Sequence, residues 1–192
     1  MSTNIYQINI QTTDSSVVRS FLMTWFEEAY GSRPQVETQH EPSISFFENE
    51  TPSLFAVGKL HSGWITVLHD SYERLIKFNQ SLSSQIEGMV VHTLGQSTVD
   101  TYYLSIHQNG ELVRELYFGE DSDGIEQAGL PLSFEKHLPF PREEDYTYFD
   151  YEYLEAYGEL LGIGSLIDLE EYKGAWEIIQ KKQKKGWFSR FR

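Results

Sequence analysis

Apolar and polar positions alternate along residues 4–12 (NIYQINIQT), which puts Tyr6, Ile8 and Ile10 on one face of a predicted strand. The period then changes. Val18, Phe21, Leu22, Trp25, Phe26 and Ala29 recur at helical spacing behind Asp14, a natural N-cap, and Gly31 is placed to stop the helix. Arg33-Pro34 breaks the chain, and short strands are predicted over 44–48 (ISFFE) and 53–58 (SLFAVG). The same order then returns. Residues 63–69 (GWITVLH) read as a strand, with Asp70 and Ser71 as N-caps. The helix behind them carries Tyr72, Leu75, Ile76, Leu82 and Ile86 and is interrupted near Ser81–Ser84; another strand follows over 88–94.

The sharpest local signal is TYYLSIHQ (101–108), Asn109-Gly110, then ELVRELYF (111–118). Asn and Gly both tolerate the positive φ of a type I′ turn, so the stretch predicts a two-residue hairpin with Gln108 opposite Glu111. That register sets Ile106 against Val113, Ser105 against Arg114 and Tyr102 against Tyr117. Residues 119–142 form a Gly/Pro-rich excursion with apolar islands at Ile125 and Leu130–Phe134. Beyond it, 149–163 predicts a helix with Leu154, Tyr157, Leu160 and Leu161 on one stripe and Gly162 as its stop. Residues 169–185 predict a second helix, with Trp176, Ile178 and Ile179 as its apolar contacts and acids preceding lysines in the sense the helix dipole favours.

These elements predict an α+β fold. Its core is a largely antiparallel sheet with helices on one face, built from a duplicated βαββ unit (halves 1–60 and 61–118), followed by a C-terminal helical part over 143–180. Residues 1–180 are expected to form a single domain and 181–192 a basic, aromatic tail.

Composition narrows the functional classes. A chain of 192 residues buries roughly 70% of its unfolded surface and needs no metal or disulfide staple. It contains no cysteine, which excludes disulfides, thiol nucleophiles and Cys-based metal sites. Met1–Gln11 lacks the basic-then-apolar pattern of a leader, and no apolar run approaches a membrane span, so a cytoplasmic location is expected. Net charge is −14, and it is unevenly spread: residues 181–192 hold six of the 15 basic residues and no acid, leaving 9 against 29, or −20, over 1–180. Such a body repels phosphate backbones, so no nucleic-acid partner is expected, whereas a basic protein would be attracted and captured quickly.

The candidate chemistry is sparse. The six histidines are scattered, and His69-Asp70 lacks the additional ligands of a metal-binding HD site, so neither metal nor cofactor is expected. GxSxG and GxxxxGK[ST] are absent, and Gly162-x-Gly164 lacks the third glycine of a dinucleotide site. Glu120, Asp121 and Asp123 share one loop without the spacing of a calcium loop. The run EEDYTYFDYEYLEAY (143–157) interleaves tyrosines with carboxylates. Glu143, Glu144, Asp145, Tyr146, Tyr148, Tyr151 and Tyr153 would suit an anionic protein-binding face; the competing reading is a segment docked on the domain's own sheet. The tail, KKQKKGWFSRFR, could give weak peripheral contact with an anionic membrane through Trp187 and Phe191, or fold back on the acidic body.

Residues 110–135 (GELVRELYFGEDSDGIEQAGLPLSFE) resemble a pattern in small uncharacterised bacterial proteins, in which a G-x-L-x-R-x-L strand precedes an acidic loop and G-x-P-x-x-x-E. The matching positions are Gly110, Leu112, Arg114, Leu116, Gly129, Pro131 and Glu135, and the LGI at the end of 149–163 is similar too. The resemblance implies a bacterial chain and brings no activity with it. A mid-strand Arg114 among leucines calls for a carboxylate partner, and the resemblance nominates Glu135. The function expected is therefore a non-enzymatic binding module, an immunity-type or accessory protein masking a basic partner. The alternatives are an enzyme assembled from His107, Arg114, Glu115 and Glu135, and a peripheral membrane protein held by its tail.

Overall fold

The computed structural model describes residues 4–40, 44, 49–119, 122–138, 149–164, 166 and 175–182, with backbone alone at 59–61. In chain order its elements are β1 (Asn4–Ile10), α1 (Ser15–Tyr30), β2 (Gln35–Gln39), β3 (Leu54–His61), β4 (Trp64–His69), α2 (Ile76–Ile86), β5 (Met89–Gln96), β6 (Thr101–Gln108), β7 (Glu111–Phe118) and β8 (Glu126–Gly129). A 3-10 turn (Glu135–His137), α3 (Tyr151–Leu160) and β9 (Trp176–Gln180) complete the set. The strands form one nine-stranded sheet in the order β2-β9-β3-β4-β1-β5-β6-β7-β8. Every neighbouring pair is antiparallel. The protein is thus α+β, as its alternating strand and helix periods imply. β4 lies between β3 and β1, so strands of the first sixty residues interleave with those that follow.

α1 and α2 cover one face of the sheet, burying Phe21, Leu22, Phe26, Phe78 and Leu82 against Ile8, Phe55 and Val67. α3 covers the other, where Leu154 and Tyr157 pack on Ile5, Leu104 and Leu116. Asp14 caps α1 by accepting from Ser16 N–H (2.9 Å), and Gly31 ends it at φ +64. Of the expected stripe, Trp25 is only half-buried and Ala29 is exposed. In α3, Leu160 likewise lies 50% exposed, outside the buried stripe.

Further expectations are corrected. Asp70 and Ser71 cap a loop, not a helix. Asp70 accepts from Ser53 N–H (2.8 Å), Leu54 N–H (3.2 Å), Ser53 Oγ and Asn49 Nδ2 (2.9 Å). α2 starts only at Ile76, behind Leu75 in the left-handed region (φ +46), and runs unbroken through its serines. Ser83 avoids disrupting it because its hydroxyl donates to Gln80 O and accepts Gly110 N–H, both at 3.0 Å.

The hairpin turns at Asn109 (φ +51) and Gly110 (φ +88) with Gln108 opposite Glu111. Past His107–Leu112, however, Val113 is an extra residue. Ile106 therefore faces Arg114, Ser105 faces Glu115 and Tyr102 faces Phe118. A one-residue slip swaps the faces of every later side chain. Here it turns Leu116 into the core with Leu104 and Ile106.

The last correction concerns 169–185. Residues 176–180 are not helical but strand β9, inserted between β2 and β3. Trp176 and Ile178 join Ala56 and Leu68 on one face, Ile179 joins Phe55 and Val57 on the other, and all three β9 residues are fully buried. Burial on both faces outweighs helix propensity and dipole. The short polar edge strand β2 and the four-residue β8 carry too few apolar positions to announce themselves.

Candidate functional site

The residues nominated as an enzyme site do not form one constellation. Arg114 and Glu135 meet on the α3 face, Nε to Oε1 and NH2 to Oε2, both at 2.9 Å. Arg114 also donates to Gln127 Oε1 (2.9 Å) and Ala128 O (3.3 Å), while Glu135 Oε1 accepts Leu132 N–H (2.8 Å). Both side chains are sealed from solvent, and the pair pins 126–138 to the sheet. Tyr157 lies over it, its phenol pKa raised by burial and then by the Glu135 carboxylate. Gly129 pairs with Arg114 at φ +78, where a side-chain carbon would collide with the Val113 carbonyl. The Gly110…Arg114…Gly129…Glu135 pattern is therefore a structural clamp.

His107 and Glu115 lie on the opposite face, under α2. There His92, Ser105 and Glu115 occupy one row across β5, β6 and β7. These are the residue types of a nucleophile–base–acid set, but the connections differ. Ser71 N–H approaches His69 Nδ1 (3.3 Å), so His69 carries its proton on Nε2 and donates across β1 to His92 Nε2 (3.0 Å). With Nε2 accepting, neutral His92 holds its proton on Nδ1, which faces both Arg74 O (3.0 Å) and the side-chain amide of Asn79 (2.9 Å). Both nitrogens of His92 are committed away from Ser105. Burial pushes His69 down to about 3 and His92 well below the ordinary histidine value; it lowers His107 as well. His107 Nδ1 is buried without a hydrogen-bond partner among the described residues, while the Tyr103 hydroxyl lies against Ser105 and Glu115. Tyr103, Ser105 and His107 are each exposed by 1% or less, whereas Glu115 at the end of the row is only half-buried.

Of the acidic tyrosine run, Glu143, Glu144, Asp145, Tyr146 and Tyr148 lie outside the described residues, as do Trp187 and Phe191 of the tail. Tyr151 donates to Glu155 Oε1 (2.5 Å), and Tyr153 is core, packed with Phe149. The part that can be placed docks on the protein's own sheet.

Sequence patterning missed a groove between α1, α2 and the loops 50–52 and 73–75. Two adjoining cavities, of about 560 and 330 Å³, share Trp25, Lys77 and Phe78. The floor is aromatic: Trp25 meets Phe55 and Phe78 edge-on, with centroids 5.3 and 5.6 Å apart. Glu28, Glu50 and Glu73 stand on the rim, and Ile76 is 44% exposed beside them. Tyr72 is near two of these acids; desolvation and then the Glu50 and Glu73 charges raise its phenol pKa. Arg74 borders the groove but its guanidinium turns away, 3.8 Å over the Tyr117 ring and 3.6 Å from Glu126, into a separate cleft of about 810 Å³. A half-buried Trp25 flanked by Glu27 and Glu28 was the available signal, but helical periodicity assigned that tryptophan to the core.

Among the described residues no group of three or more His, Asp or Glu side chains is placed to hold a metal, and no helix is long and apolar enough to cross a membrane. No family model, curated protein or solved structure matches the chain.

Proposed function

We propose that this protein is a non-enzymatic binding module whose ligand is a basic, aromatic-bearing polypeptide segment, received in the groove between α1 and α2. The observation that carries the reading is an aromatic floor at Trp25 and Phe78 lined by three carboxylates, Glu28, Glu50 and Glu73, against the single cation Lys77 that both cavities share. Aromatic floors supply apolar contact and cation–π attraction, while rim carboxylates steer a cationic partner and fix its orientation. The −20 balance over 1–180 extends that attraction beyond the groove. In a bacterial setting this is the chemistry of an immunity-type or accessory protein that masks a basic partner.

The test is anisotropy of a labelled lysine-, arginine- and tryptophan-containing peptide, against a control with glutamate in place of the cations. The basic peptide should bind at ionic strength of about 0.01 M and weaken steeply toward 1 M, as the screening length falls from about 30 to 3 Å. Glu50→Lys combined with Glu73→Lys should weaken it about tenfold, equivalent to roughly 1.4 kcal/mol. Equal binding of the acidic control, or no effect of the double reversal, sinks the reading.

A further inference from the structure

Resting on that reading of the groove, we infer that its resident occupant is the chain's own basic segment, residues 183–192, which competes with the partner in cis. The path of the backbone is the first argument. β9 delivers the chain to Lys181, whose N–H donates to Ser53 O (2.8 Å) and whose Nζ sits 4.1 Å from the centroid of the Tyr30 ring. Tyr30 in turn donates its hydroxyl to Thr51 O (3.1 Å) and Pro52 O (3.0 Å), and those two residues wall the groove. Tyr30 also meets Trp25 edge-on at 6.4 Å. The first cation of the tail is therefore already seated on an aromatic ring at the groove's edge.

Chemistry and reach supply the rest. Lys184, Lys185, Arg190 and Arg192 alternate with Trp187, Phe188 and Phe191, and 183–192 contains no acid. This is the ligand composition the groove fits: cations for Glu28, Glu50 and Glu73, rings for Trp25, Phe78 and Ile76. β9 stands two strands from β4, about 10 Å across the sheet. Five extended residues beyond Lys182 span roughly 17 Å, enough to bring Trp187 over the opening. A tether that short gives a millimolar effective concentration, so even a weak contact is substantially populated.

The absence of cysteine permits a clean test in the full chain. Ile76→Cys with Ser189→Cys places one thiol on the groove and one in the tail without removing an aromatic ring. Leu130→Cys with Ser189→Cys is the control, since Leu130 is 83% exposed beside β8 at the far edge of the sheet. In a glutathione buffer the groove pair should close at least about tenfold faster than the control, and high salt should erase the difference. Equal closure rates overturn the inference. A second full-length variant, Lys184→Gln, Lys185→Gln, Arg190→Gln and Arg192→Gln together, should bind the basic peptide probe several-fold more tightly than the parent. Probe binding unchanged by this variant, with equal closure rates, overturns the cis occupant and leaves the partner reading standing. Selective closure in a chain that never binds the probe overturns the partner reading instead.

Discussion

The guanidinium of Arg114 and the carboxylate of Glu135 form a two-pronged pair with both contacts at 2.9 Å and exposures of 1% and 3%. Removing one member leaves the other charge buried and unmatched, which costs about 3–5 kcal/mol, whereas replacing both with apolar groups is often nearly neutral. Glu135→Ala should therefore lower stability by that amount in urea unfolding. Arg114→Met with Glu135→Leu should recover most of the loss. If Glu135→Ala costs under about 1 kcal/mol, the pair is solvated and the clamp is not what holds 126–138 in place.

The need for a carboxylate was legible in the sequence because Arg114 stands mid-strand between Leu112 and Leu116, while Glu135 as the partner came only from the resemblance over 110–135. The face of Arg114 was not legible. The Val113 bulge depends on which leucine the core accepts, a choice made by Leu104 and Ile106 across the strand. α1 was legible for a similarly local reason, since Asp14, the apolar stripe and Gly31 bracket one helix of 16 residues. β9 was not, because its isoleucines acquire their two buried faces only from β2 and β3, over a hundred residues earlier. The His69–His92 contact was equally hidden. It spans β1, which the strand order inserts between β4 and β5. The groove stayed invisible because Trp25 matches a core stripe by spacing and departs from it only in exposure.

Gly129 and Gly63 separate backbone strain from steric collision. Both have left-handed φ, +78 and +84, but a Gly63 side chain meets open space while one at Gly129 meets the Val113 carbonyl. Gly63→Ala should cost about 1 kcal/mol from φ alone. Gly129→Ala adds the collision and should cost about 3 kcal/mol or more, together with weakened amide protection across β7 and β8. Equal losses at the two positions would show that the bulge yields and that Gly129 is needed only for its φ.

Gly58 should prove essential to β9 docking. A side-chain carbon there would lie 2.5 Å from the fully buried Trp176 ring. Overpacking of this kind costs about 1–3 kcal/mol, so Gly58→Ala should destabilise by that much in denaturant titration. Trp176→Leu removes the colliding ring and, in the double variant, should make the two losses clearly sub-additive. Strict additivity would mean that the glycine serves the irregular β3–β4 pairing that begins at Gly58 and not the tryptophan.

The histidine pair predicts a stability that declines toward acid. His69 and His92 are fully buried and neutral, with His69 pushed down to about 3 and His92 well below its ordinary value, chiefly by desolvation. The charged or titratable neighbours of the pair include His107, whose charge would oppose that of His92, Tyr103, which meets the His92 ring edge-on at 5.4 Å, and Tyr6, which meets the His69 ring edge-on at 6.1 Å. Once unfolded, each imidazole takes up a proton below about pH 6.5. The unfolded state then binds more protons than the native one, so stability is complete above that pH and is lost progressively as pH falls toward the folded values. Each histidine contributes a slope of about 1.4 kcal/mol per pH unit once the pH is well below 6.5. His92→Gln keeps an acceptor for His69 and removes one titrating group. Urea unfolding of the parent and this variant at several pH values from 7 to about 4.5 should give a shallower acid slope for the variant by about that much. Carboxylate titration is common to both chains and cancels in the comparison. Parallel slopes would mean that His92 is protonated in the native state, and the tautomer chain from Ser71 through His69 to Arg74 would have to be redrawn.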